Sequence, residues 1–170
     1  MPIVAFEKLA PDARLWIFEA DHELCGGENS ELLDRLDEFL EAWTAHGKDL
    51  CVGRDWRYDR FLLIAADEAS SAASGCSVDA LFRFLKSIGE RVGASLIGNQ
   101  NVCYRDGDKI IGVSRKQFAD LASQGTVGPD TVVFNNTLTK LGLVQQGEWE
   151  VPASRSWHQN VFFSKESRAT

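Results

Sequence analysis

The chain has 170 residues, 44% of them hydrophobic and 25% charged, and its 18 basic against 25 acidic side chains leave a formal charge of -7. A length of this order buries a core of its own, roughly 70% of the unfolded surface, without disulfides or metals, while the acidic balance and an isoelectric point near 5.0 disfavour a protein that grips a phosphate backbone through a basic patch. No apolar run approaches the ~20 residues of a membrane helix, and the opening residues Met1 to Lys8 lack the charged and apolar regions of a signal peptide, which points to the cytoplasm.

The first predicted element is Leu15 to Phe18, apolar on both faces and therefore read as a central strand, ending at Ala20 and Asp21. After a turn of small and polar residues from Cys25 to Ser30, apolar side chains at Leu32, Leu33, Leu36, Phe39, Leu40 and Trp43 fall at helical spacing. Asn29 or Ser30 serves as N-cap, and His46 with Gly47 as the C-terminal stop. The window from Glu19 to Glu41 holds nine acidic residues against Arg35 alone, a local charge of -8, so the rest of the chain is close to neutral. The acidic excess is thus one patch, with Asp34, Asp37, Glu38 and Glu41 on the helix face opposite the leucines.

Two extended runs, Leu50 to Trp56 and Phe61 to Ala66, are expected to form a hairpin whose second strand is apolar enough to be central. Its tip mixes Arg54, Arg57 and Arg60 with Trp56 and Tyr58, a composition suited to nucleic-acid stacking on a basic protein. Here Asp55 and Asp59 make it self-neutralising, so an exposed hairpin is the better reading. A polar loop from Asp67 to Gly75 then leads into a second amphipathic helix, with Val78, Leu81, Phe82, Leu85, Ile88 and Val92 inward and Gly93 as its stop.

Val102 to Tyr104 and Lys109 to Ile111 flank Asp106 and Gly107, the signal of a type I′ hairpin. Ser114 with Gln117 forms a capping box for a short helix carrying Phe118, Leu121 and Ala122 and ending at Gly125. Thr131 to Phe134 reads as a last strand. Beyond Asn135, Asn136 and Thr137 periodicity is poor; Trp149, Val151, Trp157, Phe162 and Phe163 are expected to pack back onto the body, and residues 165–170 to fray.

The order strand, helix, strand, strand, helix, strand is that of a split βαβ unit. It predicts an α+β fold, a ferredoxin-like βαββαβ sandwich with both long helices on one sheet face, extended by a β-hairpin, helix and strand at the C-terminal side. With no linker or repeat, one domain is expected: a core at about 13–113, an extension at about 114–164 and a tail at 165–170.

Residues spread over nearly the whole chain carry a resemblance. Ala13 to Phe18 with Ala20 and Asp21, Phe39 and Leu40 with Trp43 to Gly47, Arg60 to Leu62 with Asp67 and Glu68, Ala73 to Ser77, Phe134 to Asn136 and Ser156 to His158 are similar to those of small uncharacterised bacterial proteins commonly labelled "ABC transporter ATPase". The resemblance implies a bacterial cytoplasmic domain and brings no assigned catalytic residues. The label itself meets a physical objection. A P-loop needs G-x-x-x-x-G-K-[ST], its glycines letting backbone N-H groups wrap the phosphates, yet Gly47 and Lys48 are followed by Asp49 and Ala42 stands where the first glycine should be. ATP hydrolysis is not expected.

The stretch that could carry chemistry is the loop with Asp67 and Glu68 followed by Ser74, Gly75, Cys76 and Ser77 at the start of the second helix. Free N-H groups and the helix dipole there favour a small anion and the thiolate form of Cys76. The structural reading of the same residues is that a serine caps the helix, Gly75 permits the turn and Cys76 is a small buried residue. His46 and His158 are the candidate bases for a reactive Cys76, although no spacing rule places either beside it. Cys25, Cys51, Cys76 and Cys103 are about 25 residues apart and make no CxxC pair, so neither a metal site nor a cofactor is expected. The sequence favours a non-catalytic cytoplasmic domain that binds a protein partner or a small anionic ligand, without nucleic acid or membrane. The alternative is a thiol-dependent enzyme or redox sensor using Cys76.

Overall fold

A computed structural model describes residues 3–69, 71–98 and 101–164; the expected fraying of 165–170 lies outside them. In chain order the elements are β1 (Arg14–Glu19), α1 (Gly27–Glu41), β2 (Thr44–Ala45), β3 (Lys48–Asp49), β4 (Cys51–Arg57), β5 (Phe61–Asp67), α2 (Gly75–Val92), β6 (Asn101–Asp106), β7 (Lys109–Ser114), α3 (Arg115–Ser123), β8 (Val132–Phe134), α4 (Leu141–Gln145) and β9 (Glu150–Pro152). The fold is α+β. The chain divides into two compact units, Met1–Asn99 with Thr137–Gln145, and Gln100–Asn136 with Gln146–Thr170.

In the first unit an antiparallel sheet has the order β1-β5-β4. Strand β5 is its centre, as the unbroken apolar run requires. With a side-chain period of two, Leu62, Ile64 and Ala66 meet the helices while Phe61, Leu63 and Ala65 point to the other face, and all six are fully buried. Leu32, Leu36 and Leu40 of α1 and Leu81 and Leu85 of α2 close the helical side without exposure, each leucine contributing about 1.5–3 kcal/mol by leaving water. On α2, Phe82 departs from the expected inward face and is 38% exposed, meeting the edge of Phe18 at 5.4 Å between ring centres. The segment before β1 crosses β4, where the Val4 N-H donates to the Val52 carbonyl at 2.9 Å. Glycine is required at 53, because a Cβ there would stand 2.8 Å from the Val4 carbonyl oxygen.

Two expectations change here. Strand β1 is not central: among the described residues its edge away from β5 meets a short return of the chain, with the Leu15 N-H donating to the Thr139 carbonyl at 2.9 Å and Arg14 bridged to Lys140. The run 102–104, needed as the fourth strand of a ferredoxin-like sheet, belongs to the second unit. There β6 is paired on both sides, along its length with β7 and at Tyr104 with Val133 of β8.

The second unit is built on the antiparallel order β7-β6-β8-β9. The β6–β7 loop is Gly107 and Asp108, with Asp106 opposite Lys109, and Gly107 alone has positive φ (61°). That pattern is type II′, one residue displaced from the expected type I′ turn. The capping box is formed as expected, Gln117 N-H donating to Ser114 Oγ at 3.1 Å and Ser114 N-H to Gln117 Oε1 at 2.9 Å. Helix α3 buries Phe118 against Tyr104, Phe162 and Phe163. Among the described residues no helix is long and apolar enough to cross a membrane.

Candidate functional site

The helix that carries the candidate residues starts as its sequence dictates. Ser74, in extended backbone, caps α2 by accepting the Ser77 N-H at 3.1 Å, and Ser77 Oγ in turn donates to the Ser74 carbonyl at 2.8 Å. Those bonds confirm the capping role weighed for the serines and leave Gly75 and Cys76 as the first-turn residues whose N-H groups have no carbonyl one turn earlier to bond. Gly75 is open where a Cβ would stand and does not have positive φ, so the turn does not depend on glycine. Cys76 is exposed. Cys25 is exposed as well, Cys51 is half-buried, Cys103 is buried, and all four are free thiols.

The first turn of α2 faces the end of α1. Trp43, 3% exposed, donates its indole N-H to the Ser77 carbonyl at 2.8 Å and so fixes the chain leaving α1 against α2. From there the chain enters the hairpin β2–β3, whose two-residue loop is His46 (φ 53°) and Gly47 (φ 76°). This corrects the reading of both as a helix stop. Helix α1 already ends at Glu41, and two successive positive φ values belong to a type I′ hairpin. Gly47 and Lys48 therefore lie in a tight β-turn, where no helix follows to cradle a phosphate.

Between these elements is an open cleft of about 340 Å³ lined by Phe39, Ala42, Trp43, Thr44, His46, Ser74, Cys76, Ser77 and Ala80. It brings together one candidate base, His46, with Cys76, Ser74 and Ser77. Among the described residues no hydrogen bond joins Cys76 to His46. The walls are mostly apolar, Phe39 stacking on Phe84 at 4.6 Å and lying 6.1 Å from Trp43, while Trp16 meets Trp43 edge-on at 5.7 Å. One wall is the C-terminal end of α1 and another the N-terminal end of α2, so the helix dipoles set a field across the opening, positive at Cys76 and negative at Ala42.

The other candidates have separate employment. Asp67 Oδ1 accepts the Ala69 N-H at 2.9 Å; Glu68 Oε2 accepts the Ala73 N-H at 2.8 Å and lies 4.0 Å from Arg14. Both carboxylates hold the loop in shape and neither lines the cleft. His158 belongs to the second unit, 1% exposed, stacked on Trp157 and bonded to Ser156 Oγ at 2.5 Å through Nδ1. Among the described residues no group of three or more His, Cys, Asp and Glu is placed to hold a metal ion.

The acidic helix face and the arginine hairpin meet in one ion pair among the described residues. Arg54 reaches Asp37 of α1 through two bonds of 2.8 Å, which holds its guanidinium pKa above the ordinary value. Arg57 pairs with Asp55 at 2.7 Å, and the buried Arg60 lies 4.0 Å from Glu19. Arg91 of α2 pairs with Glu31. The expected neutralisation within the hairpin is thus largely a neutralisation between elements. No protein-family model matches the chain, and neither curated proteins nor solved structures yield a match.

Proposed function

We propose that the protein is a non-catalytic binding domain whose ligand site is the cleft between the end of α1 and the start of α2. The observation that carries this reading is the cleft itself, about 340 Å³ with Phe39 and Trp43 for an apolar body and the first turn of α2 for a polar end. That volume and mix of a large apolar wall with a few polar groups are those of small-molecule sites. The preferred ligand is a small molecule with an apolar portion and a carboxylate or similar anion, the anion directed at the N-H groups of Gly75 and Cys76. The cytoplasmic, bacterial setting drawn from the sequence resemblance belongs to the same proposal, as does the absence of ATP hydrolysis. For the fold, the reading is a ferredoxin-like sandwich short of its fourth strand, supported by the order β1-β5-β4 and by Thr139 and Lys140 standing at the β1 edge. Amide-resolved NMR titration with benzoate and with acetate tests the site. Benzoate should shift the amides of Gly75, Cys76 and Ser77 more than acetate does, and shifts scattered over the chain would contradict the proposal.

A second reading is favoured by one specific observation, that Cys76 and His46 line the same cleft. Under it the protein is a thiol-dependent enzyme or redox sensor, Cys76 supplying the thiol and His46 the base. Its expected signature is a rate of Cys76 alkylation by iodoacetamide, read by peptide mass mapping, that exceeds that of Cys25 at neutral pH and loses the excess in His46→Ala. Equal rates for Cys76 and Cys25, both exposed, would remove it.

A further inference from the structure

We propose that His158 is an acid-released clasp holding the segment from Ser156 to Phe163 onto α3. The ring is 1% exposed. It stacks on Trp157 at 3.9 Å between ring centres and meets Phe118 of α3 at 6.1 Å and Phe162 at 6.3 Å. Phe118 also touches Phe162 at 4.7 Å and Phe163 at 6.2 Å, so the segment and the helix share one aromatic cluster with the imidazole inside it. The ring is hydrogen-bonded through Nδ1 to the Ser156 hydroxyl, which holds its orientation inside the cluster.

Among the described residues, the surroundings of this ring disfavour a second proton. Helix α3 presents Arg115, whose guanidinium lies over Trp157 at 5.0 Å. The π-helical turn Gln159–Phe163 carries no charge, and Arg155 on the preceding turn is paired with Glu148 at 2.7 Å. Among the described residues no carboxylate acts on the imidazole. Burial first, then repulsion from Arg115, lowers the His158 pKa from 6.5 to about 4. When the segment lifts off, the ring returns to water and the ordinary value. The open form therefore binds more protons between pH 6.5 and 4. The clasp is fully closed above that window, weakens as pH falls through 6.5, and reaches its limit below 4, where opening is favoured by about 300-fold over neutral pH.

The ring titration by NMR, on the wild-type chain, is the first test. A His158 pKa below 5 is expected, and a value near 6.5 would overturn the proposal without any variant. The second is hydrogen exchange of the peptide spanning 153–164, corrected for intrinsic rates. Between pH 7.0 and 4.5 protection should fall by about 60-fold in the wild type and stay flat in His158→Gln, whose side chain cannot titrate. An equal fall in both would show that acid loosens the segment through other groups and would likewise overturn the clasp.

Discussion

Replacing Phe118 by alanine is expected to destabilise the second unit by about 4 kcal/mol. Phe118 is fully buried, and its ring is the hub that touches Tyr104 from β6, His158, and both Phe162 and Phe163. A ring removed from such a position takes its transfer free energy with it and leaves a void that four flat partners, themselves fixed by strand and turn, cannot close. Urea denaturation followed by near-ultraviolet circular dichroism measures the loss. A change under about 1 kcal/mol would mean that the cluster collapses onto the gap and is not the tight packing described.

Gly89→Ala separates two opposed effects by sign. Helix propensity alone says that alanine should stabilise the interior of α2 by about 1 kcal/mol. The chain, however, reverses just past the helix. Gly93 takes φ of 77°, and the Ala94 N-H comes back to the Gly89 carbonyl at 2.9 Å. The returning Ala94 carbonyl oxygen would then stand 2.5 Å from a Cβ at position 89. That atom is backbone and cannot swing away as a long side chain would. A net loss of about 2 kcal/mol is expected in thermal or urea melts, and a gain in stability would show that the reversal yields easily.

What could be read from the amino acids alone was mostly what is decided within about one turn of chain, although α1 starts at Gly27, ahead of the N-cap expected at Asn29 or Ser30. Ser74, Gly93 and the pair Ser114 and Gln117 act on neighbours three to five residues away, and each does what its chemistry implies. The two long helices and the doubly buried β5 follow from periodicity in the same way. The type I′ turn expected at Asp106 and Gly107 fell one residue out of register, because Gly107 with Asp108 satisfies a type II′ turn equally well and pairing along the strands decides between them.

What could not be read was pairing between distant segments. The pattern Val102 to Tyr104 says strand, but which sheet it joins depends on β8, some thirty residues later. The return of 137–145 to the first unit has no local signal at all. His46 was misplaced for a related reason. A His-Gly pair after a helical run suits a helix stop, and only the pairing of Thr44 with Asp49 reveals a hairpin. The candidate site was half legible. Residues Ser74 to Ser77 were marked by their place at a helix start. The wall opposite, Phe39 and Trp43, carried the signature of core residues, and it faces Cys76 because the Trp43 indole bonds Ser77, a contact 34 positions apart in the chain.

The ligand reading and the thiol reading share the same cleft, but they differ in what must touch Cys76. For ligand binding the thiol is part of a wall, and filling the space should be enough to abolish the effect. Ala80 lines the cleft one turn beyond Cys76 and is only partly buried, so a large side chain there occupies the opening without entering the leucine core. The most direct measurement is the benzoate titration repeated on Ala80→Trp, with the amides of Gly75, Cys76 and Ser77 as the readout. Saturable shifts at these three amides in the wild type, lost in the folded variant, are expected if the cleft is the ligand site. Shifts that persist unchanged in Ala80→Trp, or that arise away from the first turn of α2, would contradict it.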